Sequence, residues 1–335
     1  MIMSDLRSTL KLPLVRKIPK TFGAGWFDNE LTISLDEFLI SSLYGVIDEC
    51  IFYYSDSTLW SDGFEDLPDS IGKFESIKFL RSKATTNMSG QYETLVHSKE
   101  VIIPVVHPGC QIYGHWLIDL APRVWLFEHL FPNTSFTVGI PEDAPGYVRD
   151  ILSAIYSADI KFCHIFNNIN YRGKLFICSP VRQHDYMSQF SGLQPWVDLG
   201  VSTPMERLYL TRKKYNSYRS LLNREAVEDC FRSRGFRVVD PEDYTLAQQI
   251  QLYRSANVLA GEAGSGLHNS VFCSSNVKII NLQSSRQNHF IQAGLCYWRD
   301  QACVYVVGQS TSEDWNANFC VDIESIQHAI DFIEM

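Results

Sequence analysis

Apolar residues along this chain bunch into short runs divided by glycine, proline and polar turns, and the pattern changes character twice. Residues 21–100 hold short apolar runs broken by turns such as Ser61-Asp62-Gly63 and Ser89-Gly90, which read as mixed strands and loops. From residue 101 the pattern is more regular. Val101 to Val106 is a β-branched run around Pro104 and reads as a strand. Tyr113 to Leu130 reads as a helix, with Pro122 kinking it or marking its true start. Phe136 to Ile140, Lys161 to Phe166 and Leu175 to Cys178 read as strands, and Tyr147 to Tyr156 as a helix. Residues 180–205 carry Pro180, Gly192, Pro195, Gly200 and Pro204, the composition of an interdomain linker.

Beyond the linker, strands and helices alternate. Leu208 to Leu210, Phe236 to Val239, Val258 to Ala260, Lys278 to Leu282 and Val304 to Val307 read as strands. Between them lie helices at Asn223 to Ser233, stopped by Gly235, at Leu246 to Ala256 and near Phe290 to Trp298. Gly264 to Cys273 reads as a loop leading into a helix, and Ile323 to Phe332 as a closing helix. This alternation predicts an α/β fold with a parallel sheet covered on both faces. Ligands in such sheets sit at the carboxyl ends of strands, often at a helix N-terminus. The expected division is residues 1–195, residues 196–322, and a closing helix over 323–335.

Composition narrows the function. A length of 335 residues suits two domains, and 45% hydrophobic with 20% charged residues is ordinary for a globular chain. The formal net charge of -9 has the wrong sign for a nucleic-acid binder, which draws most of its affinity from phosphate neutralisation. Phosphate contact must come from a local basic cluster, which suits a small phosphorylated ligand. The 9 cysteines form no C-x-x-C pair and read as buried thiols of a reducing compartment. The first twenty residues do not read as a signal peptide, and no apolar stretch of about eighteen residues reads as a membrane span. The expectation is a cytoplasmic protein, with peripheral contact at the inner face of a membrane left open.

Three segments carry chemistry. Gly261-Glu262-Ala263-Gly264-Ser265-Gly266-Leu267-His268-Asn269 follows a short apolar strand. Its glycines let backbone approach a ligand, and N–H groups in a first helical turn attract an anion. The spacing is neither a dinucleotide fingerprint nor a Walker A loop, and a tight turn with no ligand is the plain alternative. Arg207-Leu208-Tyr209-Leu210-Thr211-Arg212-Lys213-Lys214, followed by Tyr218 to Glu225, ends a strand in a basic loop. Arginine forks there suit paired phosphate oxygens, and a solvated basic loop is the alternative. In Gly114-His115-Trp116-Leu117-Ile118-Asp119-Leu120-Ala121-Pro122-Arg123, a helix would set His115, Asp119 and Arg123 on one face. That stripe suits a base for a hydroxyl group, or a surface ion pair between Asp119 and Arg123. No Asp-x-Asp triplet, H-E-x-x-H or close His/Cys cluster stands in the sequence, so no metal is indicated.

Together these segments resemble glycosyltransferase family 61. The block H-W-hydrophobic-x-D-x-hydrophobic-P-R is matched by His115, Trp116, Leu117, Asp119, Pro122 and Arg123. The block R-L-Y-L-S-R is matched by Arg207, Leu208, Tyr209, Leu210 and Arg212, with Thr211 for serine. Arg219, Leu222, Asn223 and Glu225 follow, with Arg224 inserted before the glutamate. Gly235 to Glu242, Gln249-Ile250, and Gly261, Gly264, Ser265, Gly266, Leu267 and Asn269 complete the order. Ala263 stands where the family often has histidine, which raises the question whether His268 replaces it.

The resemblance implies a GT-B fold, two Rossmann-like domains facing each other across a cleft, with the nucleotide-sugar donor on the C-terminal one. It implies an inverting transferase without metal or other cofactor, moving sugar from a UDP-linked donor to a glycan or glycolipid acceptor. Bacterial surface polysaccharide synthesis, of capsule or lipopolysaccharide, is the expected setting. Asp119 is the expected base, with His115 as the alternative or its orienting partner. Arg212, Arg219 and the N–H groups of Ser265 to Leu267 are expected to carry the diphosphate. Asn223, Glu225, Glu262, Gly264, His268 and Asn269 are expected to line or position the donor site, and Trp116 and Arg123 to contact the acceptor or serve as supports. A non-catalytic nucleotide-sugar or glycan-binding relic of the same fold is the alternative, with Ala263 in its favour. A nicotinamide-dependent oxidoreductase lacks the glycine spacing it would need.

Overall fold

The structure, a computed structural model, describes residues 4–5, 20–23, 43–55, 58–61, 94–105, 110–155, 160–165, 170–178, 206–214, 218–287 and 291–335. The linker expected over 180–205 and the turn at 89–90 lie outside the described residues. The chain opens with two short strands, β1 (Ser4–Asp5) and β2 (Lys20–Gly23), which enter different sheets. The described residues form two compact units, one holding β1 and residues 43–178, the other holding β2 and residues 206–335.

The first unit is built on β3 (Leu43–Ser55), β4 (Thr58–Ser61), β5 (Thr94–Pro104), β6 (Phe136–Pro141), β7 (Phe162–Ile165) and β8 (Asn170–Cys178). The strand order is β1-β3-β8-β5-β6-β7, with β4 also paired to β3. Strands β5 to β8 run in parallel, while β1, β4 and β8 pair with β3 antiparallel. Pro104, whose missing N–H cannot serve a ladder, stands at the last position of β5.

The helix expected from Tyr113 to Leu130 is not continuous. An α-helical turn at Tyr113–His115 runs into a π-helical turn at Trp116–Leu120, and helix α1 (Ala121–Leu130) begins after it. Pro122 accounts for the break. It has no N–H to offer the carbonyl of residue 118, and its ring crowds that carbonyl. The wider turn takes up the misfit, with the Ala121 N–H donating to the Trp116 carbonyl five residues back. Phe127 of α1 is fully buried among Phe131, Phe136 and Phe176, with ring centroids 5.1, 5.5 and 5.1 Å away. Helix α2 (Tyr147–Ile155) completes the unit's described helices.

The second unit contains β9 (Glu206–Leu210), β10 (Arg237–Val239), β11 (Ala256–Glu262), β12 (Lys278–Ser284), β13 (Ala302–Ser310) and β14 (Phe319–Cys320). Its helices are α3 (Arg224–Ser233), α4 (Leu246–Arg254), α5 (Ile291–Trp298) and α6 (Ile323–Glu334). The strands lie in the order β10-β9-β11-β12-β13, all parallel. Strand β13 also pairs with β2 in parallel and with β14 antiparallel. The parallel sheet expected from the alternation is present, and its central strands are buried on both faces, as parallel sheets require.

Local signals set the helix ends. Thr245 caps α4 with a reciprocal bond to Gln248. Gly235, at φ 78°, turns the chain after α3, and the Phe236 N–H donates to the Phe231 carbonyl across the turn. One face of the sheet is sealed by α3 and α6. Ile326, Ala329, Ile330 and Ile333 of α6 are buried at helical spacing. Phe231 of α3 stacks on Tyr209 of β9 at 4.4 Å and meets Phe236 edge-on at 4.9 Å. Phe231→Ala removes the ring joining helix to sheet and is expected to cost about 3–5 kcal/mol in urea unfolding. A loss below about 1 kcal/mol would show that this core can collapse around the gap.

Candidate functional site

The strand order of the second unit reverses between β9 and β11. From β9 the chain leaves through α3 to β10 on one side, and returns through α4 to β11 on the other. In open α/β sheets such a reversal opens a crevice at the carboxyl ends of the two strands. Leu210 pairs with Gly261 at those ends, so β9 runs out into Thr211-Arg212-Lys213 beside the Glu262-Ala263-Gly264 exit of β11. Gly261 keeps the exits close, since a Cβ there would meet Leu210 Cβ at 3.1 Å and its carbonyl oxygen at 3.2 Å.

The basic loop and the glycine turn meet here. Gly264 has φ 144°, a conformation that disfavours side chains, and a Cβ at that position would stand 3.9 Å from Arg212 Nη1. Arg219 is a non-glycine residue at φ 55°. That strain is sustained by the segment opposite. The Arg219 N–H donates to the Asn316 carbonyl at 3.0 Å, Ser220 N–H to Asn318 Oδ1 at 2.9 Å, and Leu222 N–H to the Phe319 carbonyl at 2.9 Å. Burial, and then the charge of Arg212, lower the pKa of the Arg219 guanidinium, which also lies 4.8 Å from the Tyr218 ring centroid. The charge of Arg212 thus bears on Arg219 beside the Gly264 turn, and guanidinium forks are suited to paired phosphate oxygens.

The turn itself is tighter than expected. A 3-10 helix, Leu267–Phe272, follows it instead of an α-helix. The Leu267 N–H is spent on the Gly264 carbonyl at 3.0 Å, so the donors of the turn reduce to those of Ser265 and Gly266. Asn269 is buried and braces the turn, its Nδ2 donating to the Gly266 carbonyl at 3.0 Å. His268 is also buried, with Nδ1 3.1 Å from Gln292 Oε1, and Gln292 Nε2 donates to Ser270 Oγ at 2.7 Å. It therefore braces the 3-10 helix from the core through Gln292.

Other residues expected at the ligand serve as supports. Asn223 clamps the backbone of Val321, donating to its carbonyl at 2.7 Å and accepting from its N–H at 3.1 Å. Glu262 is sealed, each carboxylate oxygen accepting from Arg224 at 3.2 Å. Glu225 is exposed on the first turn of α3 and lines a cavity of about 610 Å3 with Lys213, Leu222 and Arg224. Sequence reasoning missed Arg224 and Glu228. Glu228 of α3 is buried and accepts from Thr211 Oγ1 at 2.8 Å, Lys213 Nζ at 2.9 Å and Arg232 Nη2 at 2.7 Å. The i, i+4 spacing of Glu228 and Arg232 was visible, but the reach to Thr211 depends on how α3 lies on β9.

In the first unit, His115 Nδ1 lies 2.5 Å from Asp119 Oδ2. The Asp119 side chain is only 5% exposed, whereas that of His115 is 30% exposed. The accessible member of the pair is thus the histidine, with the carboxylate behind it. Both stand on the helical segment widened by the π turn, a feature frequent at functional sites. Trp116 is fully buried and its indole N–H donates to the Cys110 carbonyl at 2.5 Å, so it holds the loop before the helix. Arg123 is half-buried on α1.

Arg212→Ala and Arg219→Ala are each expected to weaken the binding of inorganic pyrophosphate by about tenfold or more, the loss of one or two charge-assisted hydrogen bonds. Titration calorimetry on the folded variants decides this, and unchanged affinity would remove both arginines from the site.

The family model for Glycosyltransferase 61 matches residues 113–280. That span runs from the turn bearing His115 into β12, and takes in both arginines and the glycine turn. No curated protein matches the chain. With half of its length matched by that one model, the chain belongs to the glycosyltransferase 61 family.

Proposed function

We propose that this glycosyltransferase is an inverting enzyme that takes a sugar from a UDP-linked donor and passes it to a hydroxyl of a glycan or glycolipid. Synthesis of bacterial surface polysaccharide, at the cytoplasmic face of a membrane, is the setting this reading favours. Among the described residues, no helix is long and apolar enough to cross a membrane. The observation that carries the reading is the approach of Arg212 to the Gly264 turn at the point where the strand order reverses. A GT-B architecture is part of the proposal, supported by two separate α/β units that each carry parallel strands.

The chemistry has two demands. As the acceptor oxygen forms its bond to the anomeric carbon, the bond to the diphosphate oxygen breaks and negative charge grows on the leaving group. Arg212, Arg219 and the N–H groups of Ser265 and Gly266 form a fixed cradle for that charge. Such preorganised donors cost no rearrangement at the moment of reaction. The acceptor hydroxyl must also lose its proton. His115 is the better base because it is the accessible member of its pair, and Asp119 orients the ring and stabilises the imidazolium that forms. This reverses the order expected from sequence, where Asp119 came first.

The rival reading is a donor-binding relic without turnover. Ala263 favours it, since alanine supplies no cation at the turn. A thermal-shift screen of nucleotides and nucleotide sugars finds the donor, because a ligand of the native state raises the melting temperature. Transfer or slow donor hydrolysis in the same protein then separates enzyme from relic.

His115→Ala and Asp119→Asn are each expected to lower kcat by roughly 10²–10⁴-fold, the worth of a positioned base, while leaving UDP affinity within about twofold. Near-normal turnover in His115→Ala would exclude the histidine as base.

A further inference from the structure

Glu228 is used nowhere in the chemistry above, yet it is among the most heavily engaged side chains near the site. It lies on α3, only 3% exposed, and its two oxygens accept three hydrogen bonds. Two of the donors, Thr211 and Lys213, flank Arg212 in the sequence. The ladder of β9 continues to Thr211, whose N–H donates to the Val239 carbonyl at 2.9 Å. Side chains alternate along such an extended segment. With Thr211 drawn toward α3, and Lys213 reaching Glu228 from the turn that follows, Arg212 is turned the other way, where Nη1 reaches the Gly264 turn. Burial raises the pKa of the Glu228 carboxyl, but the bonds from Lys213, Thr211 and Arg232 outweigh it and keep the group ionised.

We propose that Glu228 is the positioning residue of the anion cradle, gripping Thr211 and Lys213 so that Arg212 is aimed at the glycine turn. The proposal rests on the reading of the β9–β11 exits as a diphosphate site. It differs from a plain stabilising role, in which Glu228 would hold α3 on the sheet and leave the ligand indifferent.

The test is a double-mutant cycle on the full chain, with inorganic pyrophosphate as the probe, titrated by calorimetry beside a melting curve for each variant. Glu228→Gln is expected to weaken pyrophosphate binding by about tenfold in the native background and to change it less than twofold in an Arg212→Ala background, since coupled residues are non-additive. Thr211→Val, a near-isosteric change that leaves Glu228 its two cations, is expected to lose about threefold, and Thr211→Ser to stay near the native value. This second pair serves if Glu228→Gln does not fold. Additive losses in the cycle, or a lower melting temperature with unchanged affinity, would overturn the positioning role while leaving the diphosphate reading intact. Failure of the native protein to bind pyrophosphate overturns both together.

Discussion

The charge of Arg212 raises the cost of keeping Arg219 charged. Burial and Arg212 depress the Arg219 guanidinium, and Arg219 keeps a left-handed backbone conformation to stand there. Strain and like charge of this kind cluster at ligand sites, which is why the proposed diphosphate site is placed here. The surrounding structure reads as a frame for that tension. The 316–319 segment fixes the backbone of Arg219 and its neighbours, Gly261 keeps the strand exits close, and Asn269 and His268 stiffen the glycine turn from below.

The frame is built from charge pairs in which the carboxylate is buried. Arg224 meets Glu262 in a two-pronged pair that ties the first residue of α3 to the last residue of β11. Glu228 ties the middle of the same helix to the exit of β9. Breaking one partner of a buried pair leaves an uncompensated charge, so such pairs tolerate little slack. Helix α3 thereby couples the two strand ends between which the order reverses, and the gap between them cannot drift without loss of hydrogen bonds. The insertion of Arg224 into the family's pattern gains a physical sense: it supplies the guanidinium that neutralises Glu262.

The first unit shows the same economy on another scale. One proline, Pro122, forces a π turn, and that turn carries Asp119 while His115 stands just before it. The carboxylate is buried and the imidazole partly exposed, the arrangement on which the proposed division between an orienting and a reacting group rests.

Much of this was legible in the residues. The alternation after 206, the glycine that ends α3 and the Thr245–Gln248 cap are local, because they depend on backbone conformation and on partners a few residues away. The basic segment after β9 and the glycine turn after β11 were visible for the same reason. What the chain alone could not disclose are the long-range choices. The pairing of β2 with β13, the carboxylate of Glu228 reaching Thr211, the union of Arg224 with Glu262, and the inward turn of His268 all join residues far apart in sequence. Their partners are selected by how helices lie on the sheet. Periodicity records only which side of an element is apolar, and the tertiary packing decides which side chain meets it.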